Sequence, residues 1–353
     1  MLRMHEMATA LEPPALLDAF LAHPPRGFHA SRLPSGLPTF VATLDLTTTL
    51  DEDVHARLQA LPLARHWRRW LTWNTRFIGA TTTEYAPLPA DVDPQALADD
   101  VLRHAAGDTR LLIVKDLAIA SPLLDARANA HSAAFLQALE QRGFVAIDGM
   151  PLAWVAIDFA STDDYLGRLS SGRRKNIRRK LRSLQALDVS CVCTGDPALA
   201  DPRLLPQLYA LYHNVYQQSR VHFDLLTPAY LQQLLGDARS NGRLFLYHHE
   251  GQLIGWNLCY VHANKLVDKY VGFAYPQARD HNLYAVSWMY NLDYALAHGL
   301  DHYVAGWTDS RIKKELGASF TSTRHAVHAR NPLLRAALRR FSGLFAGEAD
   351  HGG

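Results

Sequence analysis

Three strand patterns follow one another between residues 243 and 273, and this run constrains the fold more than any other feature of the sequence. The segments are Arg243 to His249, Leu253 to His262 and Lys265 to Phe273, with turns at Glu250-Gly251 and Ala263-Asn264. Such short connections can join antiparallel strands but not parallel ones. The spacing therefore predicts an antiparallel meander of three strands.

Elements on both sides of the meander complete a second α/β unit. Apolar periodicity and a stop at a glycine predict a long helix directly after the meander. The predicted elements are helices from Leu204 to Ser219, from the N-cap Thr227 to Ala238 and from Leu283 to His298, and closing strands from Asp301 to Ala305 and from Arg324 to Ala329.

The first half of the chain mixes short strands with helices, including one β-α-β arrangement. The predicted strands are Thr39 to Leu46, Leu111 to Val114, Phe144 to Ile147 and Ala153 to Ile157, and the predicted helices are Asp51 to Leu61 and Ala130 to Gln141. A length of 353 residues corresponds to about two domains. The sequence predicts an α/β (α+β) chain with a first domain at 1–160, a basic connector helix at 161–195, a second domain at 196–345 and a disordered tail at 346–353.

Composition excludes several classes of protein. The hydrophobic content of 48% excludes a largely disordered or fibrous chain, and the net charge of +2 gives the whole molecule no preference for nucleic acid or membrane. Three cysteines cannot form a disulfide framework. Glu6 and Glu12 interrupt any signal peptide, and no apolar run reaches the roughly 18 residues of a membrane span. We therefore expect a cytoplasmic protein without a membrane span.

The segment from Arg168 to Arg182 is the most biased in composition, with eight Lys or Arg in fifteen positions and no acid. It predicts a helix from about Arg173, with an apolar stripe that docks on the domain and cations that project from the other face. The stripe consists of Leu169, Ile177, Leu181 and Leu184. Such a helix is either a surface for RNA or another phosphate-bearing donor, or a solvated connector.

The order of elements in the second unit resembles that of GNAT-type N-acyltransferases. Residues 173–181, Tyr270 to Tyr275 and Lys313-Lys-Glu-Leu-Gly317 resemble the FemAB-like branch of that superfamily. The resemblance implies two GNAT-like domains in tandem, the first degenerate, each with a mostly antiparallel central sheet flanked by helices. It also implies a splayed strand pair in the meander that exposes backbone groups to the donor.

The activity implied by this resemblance is transfer of an acyl or aminoacyl group to an amine. We expect a thioester donor, either acyl-CoA or an acyl carrier protein, with a CoA-type thioester as cosubstrate, no tightly bound cofactor and an amine of a small molecule or peptide as acceptor. An aminoacyl-tRNA donor is the alternative, and the basic helix at 173–182 would contact the carrier protein or the tRNA. An alternative from another class is a non-catalytic RNA-binding or scaffold protein that kept the fold.

The donor turn departs from the pattern of enzymes that use CoA. Those enzymes carry a glycine-containing turn whose backbone N–H groups hold pyrophosphate, whereas Gln277 to Tyr284 contains no glycine. Asp280 would also repel phosphate. Donor-binding residues are expected to be Arg279 and Asn282 here, with Arg174 and Arg178 of the basic helix.

Four residues are candidates for catalysis. The resemblance implies that Lys313, at its spacing from Gly317, stabilises the oxyanion or binds phosphate, although Lys314 is adjacent. Asp268, inside an apolar strand, is either a base or amine-binding carboxylate or an edge-strand charge. His281 is either a base or a loop cap, and Tyr284 is its candidate acid.

Two further residues follow the predicted strand that ends at Ala305. Trp307 and Asp309 either line the acceptor pocket or pack and cap the next turn. No metal site is predicted, because neighbouring residues of His248-His249-Glu250 point to opposite faces of a strand.

Overall fold

The computed structural model describes residues 6–45, 72–105, 107, 109–219 and 222–341. The helices are α1 Pro14–Ala22, α2 Pro94–Ala105, α3 Ala126–Gln141, α4 Thr162–Gly167, α5 Ser171–Leu181, α6 Leu204–Gln218, α7 Pro228–Gly236, α8 Gln277–Asp280, α9 Leu283–Ala297, α10 Ser310–Leu316 and α11 Pro332–Phe341. The strands are β1 His29–Arg32, β2 Pro38–Asp45, β3 Thr72–Ile78, β4 Leu111–Ala118, β5 Val145–Asp148, β6 Leu152–Ala156, β7 Asp188–Cys193, β8 Gly242–His249, β9 Gln252–His262, β10 Lys265–Phe273, β11 His302–Gly306, β12 Ser319–Thr321 and β13 Thr323–Ala329. The predicted helix 51–61 and the predicted tail 346–353 lie outside the described residues.

Two mixed sheets flanked by helices confirm the predicted fold class. One sheet has the strand order β1-β2-β3-β4-β13-β5 and the other β12-β6-β11-β10-β9-β8-β7. In the described ranges, every helix is too short or too polar to cross a bilayer.

The chain forms two compact units, and each unit is built from segments that are separate in the sequence. Unit 1 comprises 1–10, 24–151 and 321–353, and unit 2 comprises 11–23 and 152–320. These bounds differ from the contiguous domains expected from the sequence, because α1 and β6 belong to unit 2 and the basic helix is part of that unit.

Strand β13 corrects one sequence prediction. It was expected to close the second unit, but it pairs antiparallel with both β4 and β5 in the sheet of unit 1. Ala326 and Val327 are buried there. A strand pattern indicates burial and does not identify the sheet that the strand joins, so the sequence could not place it.

Unit 1 builds its core between its sheet and the helices α2 and α3. Val114, Phe135 and Leu139 are among its fully buried side chains. The Asp125 carboxylate accepts a hydrogen bond from the backbone N–H of Ala128 at 2.7 Å and so begins α3.

The predicted meander is present in unit 2. Strands β8, β9 and β10 are successive antiparallel neighbours. Their turns contain four residues with positive φ: Glu250, Gly251, Ala263 and Asn264. Positive φ at both central positions is the geometry of the tight turns that match strand twist. Thr227 begins α7 as predicted, since its hydroxyl accepts from the N–H of Tyr230 at 3.2 Å.

Helix α5 confirms the predicted basic helix, with one correction to its apolar stripe. Ile177 is buried and Leu169 and Leu181 are partly buried against the core of unit 2. Leu184 is exposed instead, because a short 3₁₀ helix from Arg182 to Ala186 follows α5 and ends its helical repeat.

Candidate active site

The sheet of unit 2 opens between β10 and β11. These parallel strands pair only from Lys265 opposite His302 to Val267 opposite Val304, although β10 continues to Phe273. The prediction of a splay within the meander is wrong, because β9 and β10 pair along the whole length of β10. A tight turn ties β9 to β10, whereas β11 follows the long crossover through α9 and is free to diverge.

Asp268 is the first residue of β10 beyond the paired segment. Its carboxylate accepts from Asn257 Nδ2 at 3.0 and 3.2 Å, from the Tyr303 hydroxyl at 2.9 Å and from Asn291 Nδ2 at 3.2 Å. Three elements, β9, β11 and α9, therefore fix one carboxylate at the opening. The thiol of Cys259 is a further partner.

Burial raises the pKa of Asp268, while the hydrogen bond from Tyr303 and the positive charge of Lys313 act in the opposite direction. A carboxyl group with a raised pKa is a better proton acceptor than an ordinary aspartate. The site can therefore take a proton from an amine or hold an ammonium group.

Lys313 lies in α10 and is buried, with 5% of its surface exposed. Its Nζ donates to the carbonyl oxygen of Ala305 at 2.6 Å, and Ala305 is the β11 residue directly after the paired segment. Lys314 is exposed. Lys313 is therefore the one of the two lysines that lies at the strand opening, where an ammonium group can stabilise a developing oxyanion.

The residues that flank α10 at both ends have a left-handed backbone conformation. Asp309 precedes the helix with φ 58°, and Gly317 ends it with φ 102°. The Tyr165 hydroxyl donates to the carbonyl oxygen of Leu316 at 2.5 Å. These contacts fix the short helix that carries Lys313.

Tyr284 lies close enough to Asp268 for the charge of Asp268 to affect its pKa. Burial raises the pKa of Tyr284, and the negative charges of Asp309 and Asp268 raise it further. The phenol therefore stays protonated and can act as an acid. His281, proposed as its partner, instead packs its ring against that of His249, with 4.1 Å between centroids.

The first part of the predicted donor turn forms α8, a single helical turn, and five backbone amides of the turn are engaged. The N–H groups of residues 278–282 all donate to carbonyl oxygens of residues 274–279, at 2.7 to 3.2 Å. A pyrophosphate site needs such N–H groups to point at the ligand. These five amides are therefore bonded within the protein and do not point at a ligand.

The side chains expected to bind the donor here also have protein partners. Arg279 donates to Gln218 Oε1 at 2.6 Å and lies over the Tyr275 ring at 4.9 Å. Asn282 Nδ2 donates to the Ser183 hydroxyl at 3.1 Å. The latter hydrogen bond joins the start of α9 to the segment after α5.

Helix α5 lies beside α9 and α10 and carries an open groove of cations. The groove has a volume of about 630 Å³ and is lined by Arg174, Lys175, Arg178, Arg179 and Arg182, with Ser171, Gly172 and Asn176. Arg178 pairs with Asp163 at 2.8 Å, and Arg174 donates to the carbonyl oxygen of Gly167 at 3.4 Å. The cations thus border the part of unit 2 that contains Lys313.

The proposed acceptor residues lie between β11 and α10. Trp307 is half-buried and Asp309 is exposed, with no capping hydrogen bond from its side chain. The backbone oxygen of Asp309 accepts from the N–H of Lys313 at 3.0 Å. Across the described residues, no three His, Cys, Asp or Glu side chains are arranged to hold a metal ion.

Sequence reasoning missed the residues that hold Asp268. Asn257 and Asn291 are buried amides inside an apolar strand and an apolar helix, and Tyr303 is buried in β11. A polar side chain at such a position requires a hydrogen-bond partner. Asn257 and Asn291 were therefore the residues from which the sequence could have predicted a buried hydrogen-bond network.

Comparisons with known proteins identify the fold and the family. A family model described as peptidoglycan biosynthesis/recognition, FemAB-like, matches residues 102–347. No curated protein matches the sequence.

Three solved structures share the fold over nearly the whole chain at low sequence identity. A domain assigned to a lysylphosphatidylglycerol synthetase of Agrobacterium fabrum has a TM-score of 0.55 and 12% identity, and covers 96% of this chain and 98% of its own. L-PGS from Bacillus licheniformis has a TM-score of 0.54 and 10% identity, with 97% and 99% covered. FemX has a TM-score of 0.55 and 14% identity, with 95% and 96% covered. The family match spans more than half of the chain, so the chain belongs to the FemAB-like family and is an acyltransferase.

Proposed function

We propose that the protein transfers an aminoacyl group from aminoacyl-tRNA to an amine of a small molecule or peptide. The observation that carries the proposal is the strand opening with Asp268 on one side and Lys313 bonded to Ala305 on the other. The family description, peptidoglycan biosynthesis/recognition, supports a peptide amine as the acceptor.

Two features of unit 2 favour aminoacyl-tRNA over the thioester donor expected from the sequence. The amides of residues 278–282 are already bonded to carbonyl oxygens, which counts against a pyrophosphate cradle in this turn. Helix α5 supplies a groove of cations suited to a polyphosphate backbone. The name of one similar structure, lysylphosphatidylglycerol synthetase, also describes an aminoacyl product. A charged-tRNA donor implies action in the cytoplasm.

The proposed reaction is attack of the amine nitrogen on the ester carbonyl carbon of the donor. A C–N bond forms, and the C–O bond to the terminal ribose breaks. Asp268 accepts the proton that the amine loses, and Lys313 stabilises the negative charge on the carbonyl oxygen. Tyr284 donates a proton to the departing ribose oxygen and regains one from Asp268 through solvent, so protons balance over a turnover.

A comparison of donors tests this proposal. The purified protein is incubated with an amine mixture and one labelled donor: a set of aminoacyl-tRNAs, acetyl-CoA or an acylated carrier protein. We expect label in an amide product only with aminoacyl-tRNA. Transfer from a thioester, or RNA binding without transfer from any donor, would contradict the proposal.

A further inference from the structure

An N-terminal segment is an integral part of unit 2. Residues 11–23 belong to this unit, although the next residue of the unit is 152. Leu16, Leu17, Ala19 and Phe20 of α1 are buried, and α1 packs against α7. The segment therefore contributes to the core of the unit that carries Asp268 and Lys313.

Directly before α1, Glu12 forms a buried ion pair with Lys269. The distance from Lys269 Nζ to Glu12 Oε1 is 3.1 Å, and the side chains are 5% and 0% exposed. The second oxygen, Oε2, accepts from the N–H of Leu11 at 3.2 Å. A buried charge is costly unless it has a partner, so the ion pair stabilises the charge of both residues.

Lys269 is the extra residue of a β-bulge next to Asp268. The pairing of β10 with β9 shifts between Asp268 and Tyr270, which leaves Lys269 without an opposing residue in β9. A bulge bends a strand and re-aims its side chains. The Tyr270 hydroxyl bonds that of Tyr230 in α7 at 2.8 Å, so both residues after Asp268 are anchored to the helices.

We propose that Glu12 is a positioning residue of the acyl-transfer site, because its carboxylate holds Lys269 and thereby fixes the bulge that aims Asp268 into the opening. The inference rests on the proposed function for the role of Asp268, but the bulge can be tested without turnover.

The first experiment compares Glu12→Gln with Leu16→Ala, a matched variant that weakens the docking of α1 without touching the ion pair. Glu12→Gln should lower kcat on the order of 100-fold with KM nearly unchanged, because a shift of about 1 Å in a reacting group has that effect. Leu16→Ala should lower Tm at least as much as Glu12→Gln does but keep the wild-type kcat. The kcat of each variant is measured at a temperature below the unfolding transitions of both. If Glu12→Gln keeps the wild-type kcat, or if both variants lose activity in proportion to Tm, the inference is wrong.

The second experiment removes the charges of the ion pair singly and together, to separate an effect on stability from an effect on catalysis. Lys269→Met alone should lower Tm strongly, and Glu12→Gln/Lys269→Met should recover Tm because both charges of the buried pair are removed together. Its kcat should stay low because the Glu12 carboxylate then no longer holds the bulge. Recovery of kcat together with Tm would show that the pair serves stability alone.

A third measurement does not depend on any substrate. Amide hydrogen exchange across residues 265–273 should accelerate in Glu12→Gln and remain at the wild-type rate in Leu16→Ala. Unchanged exchange in Glu12→Gln would overturn the inference. Wild-type protein that turns over none of the donors, with exchange altered as expected, would count against the proposed function alone.

Discussion

At the scale of single residues, Lys313 is the side chain on which catalysis is expected to depend most. Its ammonium group is fixed on the Ala305 carbonyl at the strand opening. Lys313→Ala should lower kcat and kcat/KM together by about 100-fold, as expected for one missing oxyanion donor. Steady-state kinetics measure this, with the exposed Lys314→Ala as the matched control. Equal losses in both variants would show that Lys313 has no special role.

Asp268 should leave a signature in the pH dependence of stability. Its pKa is raised by burial, so the folded state holds this proton at pH values where the unfolded chain has lost it. The free energy of unfolding of the wild type, relative to that of Asp268→Asn, should fall as pH rises from about 4 through the raised folded-state pKa, and then level off. Urea denaturation across this pH range measures the difference. A rise over the same window would mean that hydrogen bonds outweigh burial.

Residue types in the sequence identified part of this site and missed the rest. Lys313 was found through the spacing to Gly317, and Asp268 through its charge inside an apolar strand. The partners Asn257, Asn291 and Tyr303 come from three elements that only the fold brings together. Spacing along the chain contains no information on such contacts.

At the scale of elements, α10 positions Lys313 only if its C-terminal end keeps its geometry. Gly317 has φ 102°, and a Cβ there would lie 2.5 Å from the Tyr165 hydroxyl. Gly317→Ala should cost roughly 1–2 kcal/mol from the left-handed backbone alone and lower kcat as α10 shifts. Thermal unfolding and kinetics test this, with Gly236→Ala as control because no atom lies near its Cβ position. Wild-type behaviour of Gly317→Ala would mean that α10 tolerates displacement.

Helix α5 should act on binding of the donor and leave the chemical step unchanged. Changing Arg173, Arg174, Arg178 and Arg179 to Gln should raise KM for aminoacyl-tRNA with kcat maintained. The slope of log Kd against log salt should flatten by about one for each RNA phosphate that the variant no longer neutralises.

The matched control for α5 removes the same charge from exposed positions of unit 1: Arg103, Arg110, Arg330 and Arg340. Titrations of RNA at several salt concentrations compare the two variants. Identical KM and salt slopes would make α5 a solvated connector.

Local patterns predicted most elements of unit 2 to within a few residues, since apolar period and turn residues act over short distances. The predicted and observed third strand of the meander share the bounds Lys265 and Phe273. The position of the splay was wrong because it depends on where a parallel neighbour stops pairing. That endpoint, Val267 opposite Val304, is set by packing between distant segments.

At the scale of the whole molecule, the sequence predicted two α/β units and missed how the chain is shared between them. Residues 11–23 and 152–156 join unit 2, and β13 joins unit 1. The apolar pattern of each segment predicts that it is buried but does not identify the unit that buries it. The unit that a segment joins is selected by how well the segment packs against the complete surface of that unit. A local sequence pattern contains no information on this packing.

The central place of β13 has a consequence for how the protein is made. Because β13 lies between β4 and β5, the sheet of unit 1 cannot close until the ribosome has synthesised residues 323–329. Until then β4 and β5 present unpaired edges, and all of unit 2 emerges before the missing strand does. Strand pairing between segments about 200 residues apart is slow and leaves the nascent chain exposed to aggregation. Molecular chaperones are therefore expected to hold the segment from β4 to β5 during translation.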